Sequence, residues 1–153
     1  MQAPTRPTMY FIGVSTSGSS MMKIFPLWMA ELGRPEVRLE GIDFQLHAAP
    51  EAYRAAVRRI KEDPLALGAL VTAHKINLFA AARDLFDYLD PDAGICQEVS
   101  CVSKNGGRLE GRAVDPLTSG RSLRSLLGED YFARTGGEEF LIGGIVHRAF
   151  LPE

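Results

Sequence analysis

The stretch "GALVTAHKINLFAAA", residues 68–82, begins as an apolar strand and ends as a helix face; where the chain must turn it carries Thr72, His74 and Lys75. A lysine at the carboxyl end of a strand is either a solvated turn residue or a proton-transfer group. The second chemistry is specific. Partial desolvation in a cleft lowers a lysine pKa towards the working pH, where the amine can act as a general base. An acidic neighbour acts the other way, so sequence does not give the resting charge of Lys75. Asp115, before Pro116, suits a helix N-cap and would still expose its carboxylate. Ser17 and Ser19 lie in a Ser/Gly-rich turn ahead of a helical pattern. Hydroxyls and free N–H groups there favour a carboxylate, although loop and cap roles account for them equally. Thr72 reads otherwise as a β-branched strand end, and His74 as a partly exposed loop histidine.

The elements that must position these residues follow from hydrophobic period. Met9–Val14 is an apolar run closed by a Ser/Gly cluster, a first strand. Met21, Phe25, Trp28, Met29 and Leu32 then recur at helical spacing, with Ser19 or Ser20 as N-cap and Pro26 either bending the helix or moving its start towards Phe25. Residues 37–48 read as a second strand region. Residues 49–63 read as a helix with Tyr53, Val57 and Ile60 inward. Residues 66–72 and 76–89 repeat the strand-then-helix order. Residues 98–104 and 107–114, joined through Asn105-Gly106-Gly107, form a hairpin, because such turns need positive φ. Residues 115–127 read as a last helix with Leu123, Leu126 and Leu127 towards the core. The alternation predicts an α/β three-layer domain: a mainly parallel sheet with helices on both faces and an antiparallel hairpin at one edge. Val14, Leu70, Val71, Val99 and Val102 should lie on adjacent strands. Ligands gather beyond the carboxyl ends of such strands, which is where Ser17, Ser19, Thr72, Lys75 and Asp115 would converge.

Composition narrows the class. The 153 residues, 46% hydrophobic and 24% charged, suit one soluble domain with a real core. The formal charge of −2, with no basic run beyond Arg58–Lys61, speaks against nucleic acid as a partner. The absence of a long apolar run speaks against a membrane span or leader. Cys96 and Cys101, five apart with no histidine close by, suit neither a zinc site nor a disulfide framework. They read as small apolar residues in a reducing cytoplasm, and no metal site is expected.

The order of "S-x-S" after the first strand, "VTAHK" after the third, "DYLDPDAG", a hairpin and "AVD" resembles the N-terminal, substrate-binding domain of shikimate and quinate dehydrogenases, over roughly Phe11 to Leu127. The resemblance implies an oxidoreductase interconverting an alcohol and a ketone on a small hydroxylated carboxylate, a step of aromatic amino acid biosynthesis. It implies Lys75 and Asp115 as the catalytic pair, Ser17 and Ser19 on the substrate carboxylate, Thr72 on a ring hydroxyl, and Ser100 in place of a substrate-binding asparagine. The sequence departs from the family elsewhere too: Leu70 and Ala113 also replace asparagines, the proline of the lysine loop is missing, and that loop is one residue shorter. Losing amide groups that read hydroxyls changes specificity by large factors.

On this reading residues 1–8 are a disordered lead-in, 9–135 the substrate-binding domain, and 136–153 the remnant or start of a nucleotide-binding domain. Gly143 and Gly144 follow a strand-like run without a full G-x-G-x-x-G. NADP is thus expected in a full-length parent and not on this chain alone, with a homodimer as a possible assembly. The alternatives are a non-catalytic small-molecule-binding module of the same fold, or a truncated inactive fragment.

Overall fold

The computed structural model describes residues 4–136. Strands β1 (Thr8–Gly13), β2 (Arg38–Asp43) and β3 (Ala66–Val71) are linked by helices α1 (Met21–Glu31) and α2 (Pro50–Glu62). Helix α3 (Lys75–Ala82) follows, then a 3-10 turn at Arg83–Leu85, the two-residue β4 (Tyr88–Leu89) and α4 (Pro91–Cys96). Strands β5 (Cys101–Asn105) and β6 (Arg108–Arg112) form the hairpin, and α5 (Asp115–Leu127) and α6 (Tyr131–Thr135) complete the described chain. The six strands form one sheet in the order β2-β1-β3-β5-β6-β4. β5 runs antiparallel to both its neighbours, whereas β1–β2, β1–β3 and β4–β6 pair in parallel. The hairpin therefore lies inside the sheet, with only β4 beyond it, and not at the edge.

From β1, next to the edge, the chain crosses first outward to β2 and then back over β1 to β3. Right-handed crossovers in opposite directions place α1 and α2 on opposite faces. One face carries the main core: Tyr10 and Ile12 of β1, Ile42 of β2 and Val71 of β3 pack with Tyr53, Val57 and Ile60 of α2 and with Leu78 and Phe79 of α3. Helix α2 owes this to its stripe of buried residues at helical spacing and to Pro50 in its first turn. Two ion pairs, Arg54–Asp84 and Lys61–Asp87, tie its polar side to the chain after α3. The hairpin closes through Gly106 and Gly107, both at positive φ, as the sequence requires. Among the described residues no helix is long and apolar enough to cross a membrane.

Several sequence expectations need correction. Thr8, placed in the lead-in, opens β1 and is fully buried. Val14 falls just past β1 and is 43% exposed, and Val99 lies just ahead of β5. Pro26 does not displace the start of α1, which runs through it from Met21. In α1 only Phe25 is buried, so Trp28 and Leu32 do not face the core. In α5 only Pro116 is buried, and Leu126 is 80% exposed. Both helices carry a correct period; what they pack against is not encoded in that period. Helix α6 was not anticipated from the sequence.

Gly68 is the residue that admits β5. Its φ is +152°, and a Cβ there would sit 2.1 Å from the Val102 carbonyl oxygen, a backbone atom that cannot yield. Gly68→Ala should lower the urea unfolding free energy by about 2 kcal/mol or more, from strain plus the displaced ladder.

The ion pairs of α2 give a pH prediction. The Arg54 guanidinium hydrogen-bonded to Asp84, and the Lys61 ammonium hydrogen-bonded to Asp87, hold both carboxyls below the ordinary carboxylate range. Their folded pKa values lie under the unfolded ones, so their contribution is present above the ordinary carboxylate range and lost as pH falls through the depressed values. Acid unfolding followed by circular dichroism should be less steep in that window for the Asp84→Asn/Asp87→Asn double variant.

Candidate active site

β1, β3 and β6 all point the same way, so their carboxyl ends and the turns that follow share one rim of the sheet. Residues 14–20 leave β1 there, Thr72 to His74 leave β3, and Ala113 and Val114 leave β6. Lys75 and Asp115 are the first residues of α3 and α5. The Lys75 Nζ donates a hydrogen bond to Asp115 Oδ2 in an ion pair, with the two side chains 23% and 35% exposed. The structure thus joins residues forty apart in sequence. An anion at a helix N-terminus is favoured by the dipole, but a cation is not. Asp115 sits with its helix; Lys75 sits against its own and is compensated by the carboxylate opposite.

Each partner is held from behind. Asp90 Oδ1 accepts from the Ala93 N–H at 2.7 Å, capping α4, and from the Ala113 N–H at 3.2 Å. Ser100 Oγ accepts from the Val114 N–H at 2.8 Å and donates to the Arg112 carbonyl at 3.3 Å. The two residues ahead of Asp115 are therefore both pinned. On the other side His74, the N-cap of α3, is fully buried. Its Nε2 lies 3.1 Å from the Phe44 carbonyl and its Nδ1 2.9 Å from the Tyr53 hydroxyl. A carbonyl only accepts, so Nε2 carries the proton, and in a neutral ring Nδ1 accepts from Tyr53. The backbone N–H of Val99 donates to the Lys75 carbonyl at 3.3 Å.

Ser100 is 2% exposed and its hydroxyl bonds backbone groups on both sides, so it positions the turn before Asp115. One sequence reading changes as a result. His74 is a core residue bonded at both nitrogens, not an exposed loop histidine. Its signal was present in sequence only as an imidazole beside Lys75, with nothing to pair it to Tyr53, twenty-one residues earlier.

Ser17, Ser19 and Thr72 stand on the same rim, without a hydrogen bond to the Lys75–Asp115 pair. Ser17 is exposed. The Ser19 hydroxyl accepts from the Met21 N–H at 3.2 Å, at the start of α1. Thr72 is exposed and its hydroxyl donates to the Ile12 carbonyl at 3.2 Å, leaving its lone pairs to accept from a ligand. The loop carrying the serines is anchored by a residue that sequence did not single out: Asp43, at the end of β2, accepts from the Thr16 N–H at 2.9 Å. Gly41 makes room for it, since a Cβ there would meet Thr16 Oγ1 at 2.0 Å. Cys96 and Cys101 are free, and burial pushes both thiols up, away from thiolate reactivity.

No family model matches the chain, and no curated protein is similar to it in sequence. Solved structures are similar to it in fold. Shikimate dehydrogenase from Aquifex aeolicus superposes with a TM-score of 0.66 at 21% identity, covering 84% of this chain and 45% of that one. The fold is that of a shikimate dehydrogenase in part. A Thermus thermophilus shikimate 5-dehydrogenase in complex with NADP(H) and shikimate matches at TM-score 0.58 and 22% identity, over 77% of this chain and 41% of its own. The ligand-free 5-ketofructose reductase of a Gluconobacter species matches at 0.62 and 17%, over 79% and 40%. The chain thus spans less than half the length of these oxidoreductases. Gly143 and Gly144 lie outside the described residues. Among the described ones no strand runs into G-x-G-x-x-G.

The division of labour among the serines is testable by stability. Ser100→Ala leaves the part-buried Val114 N–H without its acceptor and should cost about 1–2 kcal/mol in urea unfolding, whereas Ser17→Ala at the exposed rim should cost less than about 0.5 kcal/mol.

Proposed function

We propose that this rim is the substrate-binding and proton-transfer half of an oxidoreductase that interconverts an alcohol and a ketone on a small hydroxylated carboxylate. The observation that carries the reading is the ion pair of Lys75 with Asp115 at the carboxyl ends of β3 and β6. In the reducing direction the Lys75 ammonium donates its proton to the oxygen that becomes the hydroxyl, and Asp115 holds the ammonium in place. In the oxidising direction the neutral amine takes that proton back. The hydride is the business of a nicotinamide, as in the NADP(H)-bound Thermus relative, held by chain outside residues 4–136. We assign residues 9–135 as the substrate-binding unit and 136–153 as the remnant or start of the nucleotide-binding one. Ser17 and Ser19, at the N-terminal end of α1, receive the substrate carboxylate, and Thr72 accepts from a substrate hydroxyl.

One observation favours a non-catalytic binding module as the second reading. Ser100 and Ala113, at two of the amide positions, are turned inward and buried, so they offer a ligand nothing. A ligand smaller than shikimate, with fewer hydroxyls to satisfy, fits either reading.

Calorimetry of the 153-residue chain with shikimate, quinate and smaller hydroxy acids tests the site. We expect weak binding of at least one, reduced about tenfold or more, some 1.4 kcal/mol, by Lys75→Ala. A cofactor absorbance assay with added NADP should show little or no turnover. Binding unaffected by Lys75→Ala would refute the assignment.

A further inference from the structure

We infer that the ligand of this rim turns an apolar edge to the sheet: it is a small carboxylate with oxygens for Lys75 and Thr72 and an otherwise hydrocarbon body, not a polyhydroxylated ring. The inference rests on the rim assignment proposed above and narrows the class of ligand that the rim takes.

The fold sets the path of such a ligand. Helix α1 stands on the face of the sheet opposite α2 and the main core. Ser17 and Ser19, ahead of α1, therefore approach from that face. A ligand that reaches from them to Lys75, the first residue of α3, crosses the carboxyl ends of β1 and β3. Gly13 keeps the end of β1 low, since a Cβ there would stand 3.0 Å from Thr72 Oγ1 and 3.1 Å from Thr16 Cγ2.

The floor next to Thr72 is apolar. β3 stays paired through Thr72, whose N–H donates to the Ile12 carbonyl at 2.9 Å. Side chains two apart on a strand share a face, so Leu70 stands beside Thr72, on the face away from the core residues Ala69 and Val71. The register extends the row across the sheet, with Phe11 opposite Leu70 on one side and Cys101 on the other. Phe11 is buried, whereas Leu70 and Cys101 are half-buried and reach the surface. Burial pushes the Cys101 thiol up, so it stays neutral and offers only a weak S–H donor. Val14, the residue after β1, adds an isopropyl group that is 43% exposed.

These groups sort ligands by their hydroxyls. Ser17 and Ser19 are engaged by the carboxylate, Lys75 by the reacting oxygen, and Thr72 accepts from one further hydroxyl. A ring with hydroxyls on successive carbons, as in shikimate and quinate, sets another one against the Leu70 row, dehydrated and without a partner. A methylene group at the same place is buried favourably against Leu70.

Calorimetry of the 153-residue chain with 3-hydroxycyclohexanecarboxylate and with shikimate tests this, with circular dichroism to show that each variant folds. The first ligand keeps the six-membered ring, the carboxylate and one hydroxyl. It should bind about tenfold or more tightly than shikimate. Leu70→Asn, nearly the same shape, should cut that preference about tenfold, and Val14→Thr, isosteric at an exposed position, about threefold. Lys75→Ala should weaken both ligands. Shikimate binding as tightly or more tightly, yet still weakened by Lys75→Ala, overturns the apolar edge and leaves the rim assignment standing. Binding of neither ligand, or binding indifferent to Lys75→Ala, overturns both. A preference that no folded variant of Leu70 or Val14 lowers overturns the apolar edge.

Discussion

The insertion of β5 between β3 and β6 sets the spacing on which the rest of this structure depends. The Val71 N–H donates to the Ser100 carbonyl and the Ser100 N–H to the Arg112 carbonyl, so one residue spans the two parallel strands at the rim. That spacing decides how far Lys75, leaving β3, stands from Asp115, leaving β6. It also explains why Gly68 must be glycine, since any Cβ in β3 at that point would strike the incoming strand. Remove the antiparallel strand and the two charged residues no longer face one another, whatever their individual chemistry.

Around that spacer the rim is held by polar side chains working on backbone groups. Asp90, Ser100 and Asp43 each bind backbone atoms of turns that carry a candidate site residue, and the imidazole of His74, next to Lys75, binds the Phe44 carbonyl. Ser100 and His74 are buried, and Asp90 and Asp43 act from more open positions. Hydrogen bonds of this kind contribute modestly to stability when made and cost more when broken, because the backbone donor is then left dry. The rim is thus rigid where Lys75 and Asp115 stand and open where Ser17 and Thr72 stand.

Sequence by itself determined the elements and the chemistry on offer. Period separated strands from helices because burial of one face is a local pattern, and Asn105-Gly106-Gly107 announced its hairpin because positive φ is a property of residue type. The lysine and aspartate were legible as candidates because each follows a strand. Tertiary structure alone decided the rest. Whether an apolar stripe meets a core depends on what stands opposite it, so α1 and α5 kept their period and lost their partners. Whether a serine holds a backbone N–H depends on where its neighbours fold, so the bond from Val114 to Ser100 was not legible in sequence. His74 and Tyr53 found each other across twenty-one residues, and Lys75 and Asp115 across forty, because strand order is fixed by long-range pairing that no local window of sequence contains.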